Sequence, residues 1–318
     1  MPHIETVLGP IEPADLGPTL PHEHILSDFI GAELTGPHRW DRAEVFETML
    51  PYLAALRGRG FTGFVDCTPG YLGRDVELLA DLARAADLHI LTSTGYYGAM
   101  DDLFVPAHAY EETADALAGR WVAEWEHGIG DSGIRPGLIK TGVDPIPVES
   151  SVGPRYGLSE IDARLVAAAA RAHSATGLRV ASHTAQGWAA LAQIRIFEDE
   201  GVDPAGLIIV HCDDEPDVRY HTEAARSGAW IEYDHVGLMP VERHVDLVTA
   251  GLESFPDRLL LSHDAGWYHA GEPGGGEIRD YNFLCDCLIP ALRERGVTED
   301  QMKGLTTDNP ARAFAVND

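Results

Sequence analysis

One feature constrains this chain more than any other: eight short runs rich in β-branched and large apolar residues end in polar or small residues and alternate with helix-patterned stretches. The predicted strands are Thr19 to His24, Phe61 to Thr68, His89 to Tyr97, Gly137 to Val143, Arg179 to Thr184, Leu207 to Cys212, Trp230 to Val236 and Arg258 to Asp264. Between them, Asp41 to Arg59 sets Val45, Phe46, Met49, Leu53 and Leu56 at helical intervals. Ser159 to Thr176 opens on an N-cap serine and closes at Gly177, and Gly187 to Glu200, Asp217 to Ser227 and Val241 to Leu252 fill the later gaps. Eight strands alternating with helices predict an α/β fold closed on itself, a (β/α)8 TIM barrel. A dinucleotide-binding open sheet would need a Gly-rich phosphate turn after its first strand, and none follows His24. Ile4 to Gly17 reads as a short N-terminal hairpin, and Gly271 to Gly276 as a long flexible loop after the eighth strand. No linker-like stretch divides the 318 residues, so the reading is a single barrel domain over 1–318.

Charge narrows the partners. Lys and Arg total 23 against 51 Asp and Glu, a formal charge of −28. Such a surface repels phosphate backbones and anionic headgroups, which argues against nucleic acid and membrane and leaves a small molecule as the expected partner. No apolar run approaches the ~20 residues that span a bilayer. Met1 to Glu5 lacks the basic segment and apolar stretch of a secretory signal, so the expected location is cytoplasmic. Cys67, Cys212, Cys285 and Cys287 have neither disulfide nor structural-zinc spacing and suit a reduced compartment.

The chemistry gathers at strand ends. In Pro21-His22-Glu23-His24, alternation puts His22 and His24 on one side and Glu23 on the other, a half-site for a divalent metal. Lys140 stands in the apolar run Gly137 to Thr141, where an amine is costly unless paired or modified. His183, His211 and Asp264 close the fifth, sixth and eighth runs. Each alone could equally be a satisfied core polar group or a helix cap. Five strands bringing such residues to one face is a different matter, because barrel enzymes place their reactive groups there. Strand parity turns His263 away if Asp264 faces the centre. For the substrate wall the candidates are Tyr96 and Tyr97 after the third strand and Trp267 and Tyr268 in the eighth loop. Arg155, Arg219 and Arg279 are candidates for holding an anion.

This arrangement resembles the amidohydrolase superfamily, and within it the phosphotriesterase-related family of phosphotriesterases and phosphotriesterase-like lactonases. The resemblance is carried by Thr19 to His24, Gly133 to Lys140, His211-Cys212-Asp213-Asp214 and the closing Asp308-Asn309-Pro310-Ala311-Arg312, and it covers nearly the whole chain. It implies two divalent metal ions, zinc first among zinc, cobalt, manganese and iron. One ion would be held by His22, His24 and Asp264 and the other by His183 and His211, with a CO2-derived carbamate on Lys140 and a hydroxide between them. It also implies Asp264 as proton acceptor and a relay through His235 and Asp214, with Asp234 beside it. Lactonase-like members usually carry arginine where this chain has His235. The implied activity is metal-dependent hydrolysis of a lactone or carboxylic ester, with organophosphate triester or N-acyl amide hydrolysis as alternatives and a metal-stabilised binding protein as the non-enzyme reading. Lys140 argues against a mononuclear deaminase, and relatives of this kind suggest a homodimer.

Overall fold

A computed structural model describes residues 1–148 and 155–317. Its centre is the expected (β/α)8 barrel of parallel strands. Thr19–Ser27, Gly63–Asp66 and His89–Leu91 pair in order; Ser93–Thr94, Leu138–Gly142, Val180–His183, Leu207–Val210, Trp230–Tyr233 and Leu259–Leu261 follow. The third strand is not continuous as expected. It breaks at Thr92, so that His89–Leu91 pairs with the second strand and Ser93–Thr94 with the fourth. Gly95 makes this crossing possible: at φ +108, a Cβ there would sit 2.1 Å from the Lys140 carbonyl oxygen.

The seam between the eighth and first strands closes in an unexpected way. Regular strand ends at Leu261, and the chain then turns and runs beside the first strand again as Gly266–His269. Asp264 N–H donates to the His22 carbonyl at 3.2 Å, and His24 N–H to the Ala265 carbonyl at 2.9 Å. Gly266 lies so close that a Cβ would meet the His24 carbonyl oxygen at 1.9 Å. The first strand therefore runs on to Ser27, and His22 and His24 lie within it rather than at its end. The segment 271–276, expected as an open loop, contains a 3-10 turn at Pro273–Gly275.

Helices pack outside the barrel. Arg42–Gly58 is capped by the Asp41 side chain and Glu160–Thr176 by Ser159, with Gly177 ending the latter at φ +77. Val76–Ala86 and Ala114–His127, which the sequence pattern did not single out, are capped by Asp75 and Thr113. Inside the barrel, Val65, Leu91, Leu138, Ala181, Ile208 and Leu260 form a dry core. The hairpin Ile4–Thr6 with Gly9–Ile11 closes the bottom of that core through Ile4, assisted by Leu16 and Phe314. Full burial of each of the Val, Leu, Ile and Phe side chains contributes about 1.5–3 kcal/mol. Among the described residues no helix is long and apolar enough to cross a membrane.

Candidate metal centre

Above the dry core, at the C-terminal ends of the strands, lies a cavity of about 300 Å³. His22, His24, Lys140, His183, His211 and Asp264, which come from five strands, all line it. Three donor atoms converge most tightly. His24 Nε2 is 3.0 Å from Asp264 Oδ1 and 3.3 Å from His22 Nε2, and His22 Nε2 is 3.6 Å from Asp264 Oδ1. A tetrahedral site with bonds of about 2.05 Å has edges of about 3.3 Å, so the three atoms stand as three corners of such a site. A second converging group is His211, His235 and Asp264. His183 packs edge-on against His211, with 4.4 Å between ring centroids.

The imidazoles are tuned to offer lone pairs. Burial, helped by Lys140, takes His22 down to about 3, and burial takes His211 down to about 3 as well. Burial and the neighbouring His211 hold His183 well below the usual histidine range. All three rings are therefore neutral near pH 7, the form that ligates a metal. Lys140 is 2 % exposed, its Nζ has no hydrogen-bond partner among the described residues, and it stands 5.7 Å from the Tyr97 ring centroid. An unpartnered buried ammonium costs several kcal/mol, so this amine is chemically incomplete as it stands.

Asp234 corrects one expectation. Its place is beneath the donors, not beside His235 in a relay: Oδ2 is 2.7 Å from His22 Nδ1, and Oδ1 accepts from His211 Nδ1 at 2.8 Å and from His211 N–H at 3.1 Å. One carboxylate thus orients a histidine of each group and fixes which ring nitrogen faces the cavity. The signal was present in Trp230-Ile231-Glu232-Tyr233-Asp234, where alternation directs Glu232 and Asp234 inward together. His235 Nδ1 lies 3.0 Å from Asp214 Oδ1, and its Nε2 is 3.7 Å from Asp264 Oδ2. These three form a line from the cavity to solvent. Burial pulls His235 down, but the flanking Asp214 and Asp264 carboxylates outweigh it and lift the ring to about 11. In metal-free protein an NMR titration should accordingly find His235 protonated from about pH 5 to pH 9, and Asp214→Asn should bring its titration toward neutrality. A metal-free ring titrating near its ordinary value would contradict the geometry.

The aromatic candidates separate. Tyr97 and Trp267 line the cavity, and Trp267 stacks on His24 with 3.6 Å between centroids. Tyr96, on the opposite parity, packs edge-on to Trp121 and bonds His108 Nε2 at 3.0 Å, away from the cavity. Tyr268 is buried against Gly275, because it alternates with Trp267 on the short returning strand. Neither belongs to the substrate wall. Phe29, Leu72 and Met100 do, and they come from loops that carry no periodic signal. His263 points away and is fully buried. Arg219 is exposed and paired with Asp217, while Arg279 donates to the His263 carbonyl, so neither faces the cavity; the Arg155 side chain lies outside the described residues. Three residues of the centre take left-handed backbone, His211 at φ +61, Asp264 at +52 and Trp267 at +68. Strain of this kind concentrates where a fold must aim a side chain.

Comparison with known proteins agrees with this geometry. The model of the phosphotriesterase family matches residues 2–314. The phosphotriesterase homology protein of Mycobacterium tuberculosis is 33 % identical over 99 % of this chain and 98 % of its own length. The aryldialkylphosphatase of Saccharolobus solfataricus is 25 % identical over 96 % of this chain and 97 % of its own. A solved structure, described as engineering organophosphate hydrolysis from a weak promiscuous lactonase template, superposes with a TM-score of 0.85 at 31 % identity, covering 98 % of this chain and 99 % of that one. A match of this kind along the whole length, on a barrel whose strand ends gather metal-type donors, makes the chain a member of the phosphotriesterase family and a hydrolase acting on ester bonds.

Proposed function

We propose that the chain hydrolyses neutral lactones or carboxylic esters with the aid of two divalent metal ions. The observation that carries this reading is the cavity wall. Phe29, Leu72, Tyr97, Met100 and Trp267 make it apolar, and among its described lining residues there is no arginine. An anionic N-acyl amino acid would lose its hydration against this wall with no guanidinium there to pair with its carboxylate, which disfavours the amide alternative.

His22, His24 and Asp264 would hold one ion and His183 and His211 the other, with Lys140, as a carbamate, reaching both. Zinc suits these ligands, as do cobalt, manganese and iron. When bound, the ions would polarise the substrate oxygen and make water nucleophilic at neutral pH. The remaining steps fall to side chains. Asp264 Oδ2 takes the proton of the attacking water; with Asp264 engaged by the ions, its charge would no longer hold His235 protonated, and the ring, held by Asp214, would then be placed to receive the proton at Nε2. Tyr97 and Trp267 flank the reacting centre and exclude bulk water.

A second reading, phosphotriester hydrolysis, is favoured by His235 itself, which stands where lactonase-like members usually carry arginine. The same site would serve both, since carbonyl and phosphoryl centres each offer a polarisable oxygen beside an electrophile. The deciding experiment is a hydrolysis screen of metal-loaded protein over lactones, aryl esters, phosphotriesters and N-acyl amino acids. Lactones or aryl esters should lead phosphotriesters by about tenfold or more in kcat/KM, and N-acyl amino acids should come last. Highest turnover on an N-acyl amino acid would overturn the proposal.

A further inference from the structure

Glu23 stands between two of the converging histidines but takes no part in the chemistry above. Strand parity turns it away from the cavity and into the seam between the first and eighth strands, where it is 0 % exposed. Four donors meet it there. Its Oε1 accepts from Ser262 Oγ at 2.8 Å, His263 N–H at 3.0 Å and His263 Nδ1 at 2.7 Å, and its Oε2 accepts from Ala265 N–H at 2.8 Å. The His263 tautomer follows from its other side. Leu284 N–H donates to His263 Nε2 at 2.8 Å, so in the neutral ring Nδ1 carries the hydrogen and donates to Glu23. A buried carboxylate that accepts from four donors on both of its oxygens is held in one position.

What these bonds hold is the turn around Asp264. Asp264 has left-handed backbone at φ +52, which costs an L-residue roughly 1–2 kcal/mol. Without that turn, its carboxylate would not reach His22 and His24. The backbone N–H groups on both sides of it, those of His263 and Ala265, end on the two oxygens of Glu23. Asp264's own N–H goes to the His22 carbonyl, and Ser262 Oγ, while donating to Glu23, accepts from His22 N–H at 3.0 Å. His22-Glu23-His24 and His263-Asp264-Ala265 thus interleave, with the middle residue of one tripeptide clamping the flanks of the other.

We infer that Glu23 is the positioning residue for Asp264, and that it sets the metal affinity of the centre by fixing the backbone that aims Asp264 Oδ1 at the two histidines. This rests on the reading of His22, His24 and Asp264 as metal ligands. A role in closing the barrel alone would be redundant, since the seam is also held by the pairing of Gly266–His269 with the first strand and by Tyr281 Oη donating to the His24 carbonyl at 2.6 Å.

The test is a double-mutant cycle on zinc affinity, measured by competition with a chromophoric chelator, for wild type, Glu23→Gln, Asp264→Asn and the double variant. Glutamine keeps size and burial, but its amide nitrogen would face a backbone N–H. Glu23→Gln should weaken zinc binding about 10- to 100-fold. In the Asp264→Asn background the same change should cost less than about threefold, because the residue it positions is already disabled. Unchanged affinity in Glu23→Gln, or the same loss in both backgrounds, would overturn the inference. Equal zinc affinity in wild type and Asp264→Asn would bring down the ligand reading and the inference together, a result distinct from either. If Glu23→Gln does not fold, as judged by circular dichroism, Glu23→Asp takes its place under the same criteria. It keeps the charge but is one methylene short of the seam.

Discussion

Lys140→Ala is expected to abolish both metal binding and hydrolysis, with activity falling by about 10³-fold or more, because the centre would then lose the carbamate proposed to join its two ions. A stability measurement can distinguish this explanation from simple damage to the barrel. Lys140 is buried, and its amine has no partner among the described residues. If the free amine were the resting state, removing it would relieve a desolvation penalty, so Lys140→Met, which nearly conserves volume, should raise the melting temperature of metal-free protein by a few degrees. Metal should reverse the order. Wild type gains stability in proportion to the logarithm of metal over its dissociation constant, and the variant gains almost nothing. The two melting curves should therefore exchange places when zinc and bicarbonate are added. The chain has only two lysines, Lys140 and the exposed Lys303, which is paired with Asp308, so the adduct can be located simply. Mass spectrometry under native conditions should show one added CO2 per chain in wild type and none in Lys140→Met. A variant that keeps its metal pair would remove the carbamate from the proposal.

Residues were legible in the sequence where an element's period dictated their side. Lys140 stood out because a charge inside Leu138–Gly142 contradicts its neighbours, and His22 and His24 because a period of two puts them together. The same rule separates Tyr96 from Tyr97, but only once the strand's register is known, and here the strand breaks at Thr92 before reaching them. Asp264 was found for a reason that is only partly right. It was expected at the end of the eighth strand, yet regular strand stops at Leu261 and a left-handed turn does the aiming, supported by Glu23 from 240 positions away in the chain. No local pattern encodes such a contact. The returning strand Gly266–His269 was equally hidden, since four residues between glycines are too few to show a period and the partner strand lies near the N-terminus. Phe29 and Met100 reach the cavity from loops, where position follows from packing alone.

Asp264→Asn should lower kcat by about 10²- to 10⁴-fold, the usual worth of a positioned proton acceptor, and the form of the loss carries more information than its size. Burial would raise this carboxyl, but facing His235, His24 and His22 keeps it well below the ordinary carboxylate range. A folded-state value below the unfolded one means that its ionised form contributes stability above the unfolded pKa, near 3.9, and that this contribution is lost as pH falls through the depressed value. Wild type should therefore keep an ionised acceptor throughout the neutral and mildly acidic range, and Asp264 should not be the group that limits turnover there. The asparagine variant should lose rate almost uniformly over that range, without a shifted acid limb. Replacing His235 by Asn should behave differently. It leaves Asp264 as the immediate acceptor and removes only the outward path through Asp214, so its loss should be smaller and should be greatest for substrates whose chemical step, not product release, limits turnover. The double variant decides whether the three act in line. If His235 works only by taking the proton that Asp264 has accepted, adding His235→Asn to Asp264→Asn should cost nothing further, whereas multiplicative losses would mean that the histidine serves the substrate by another route.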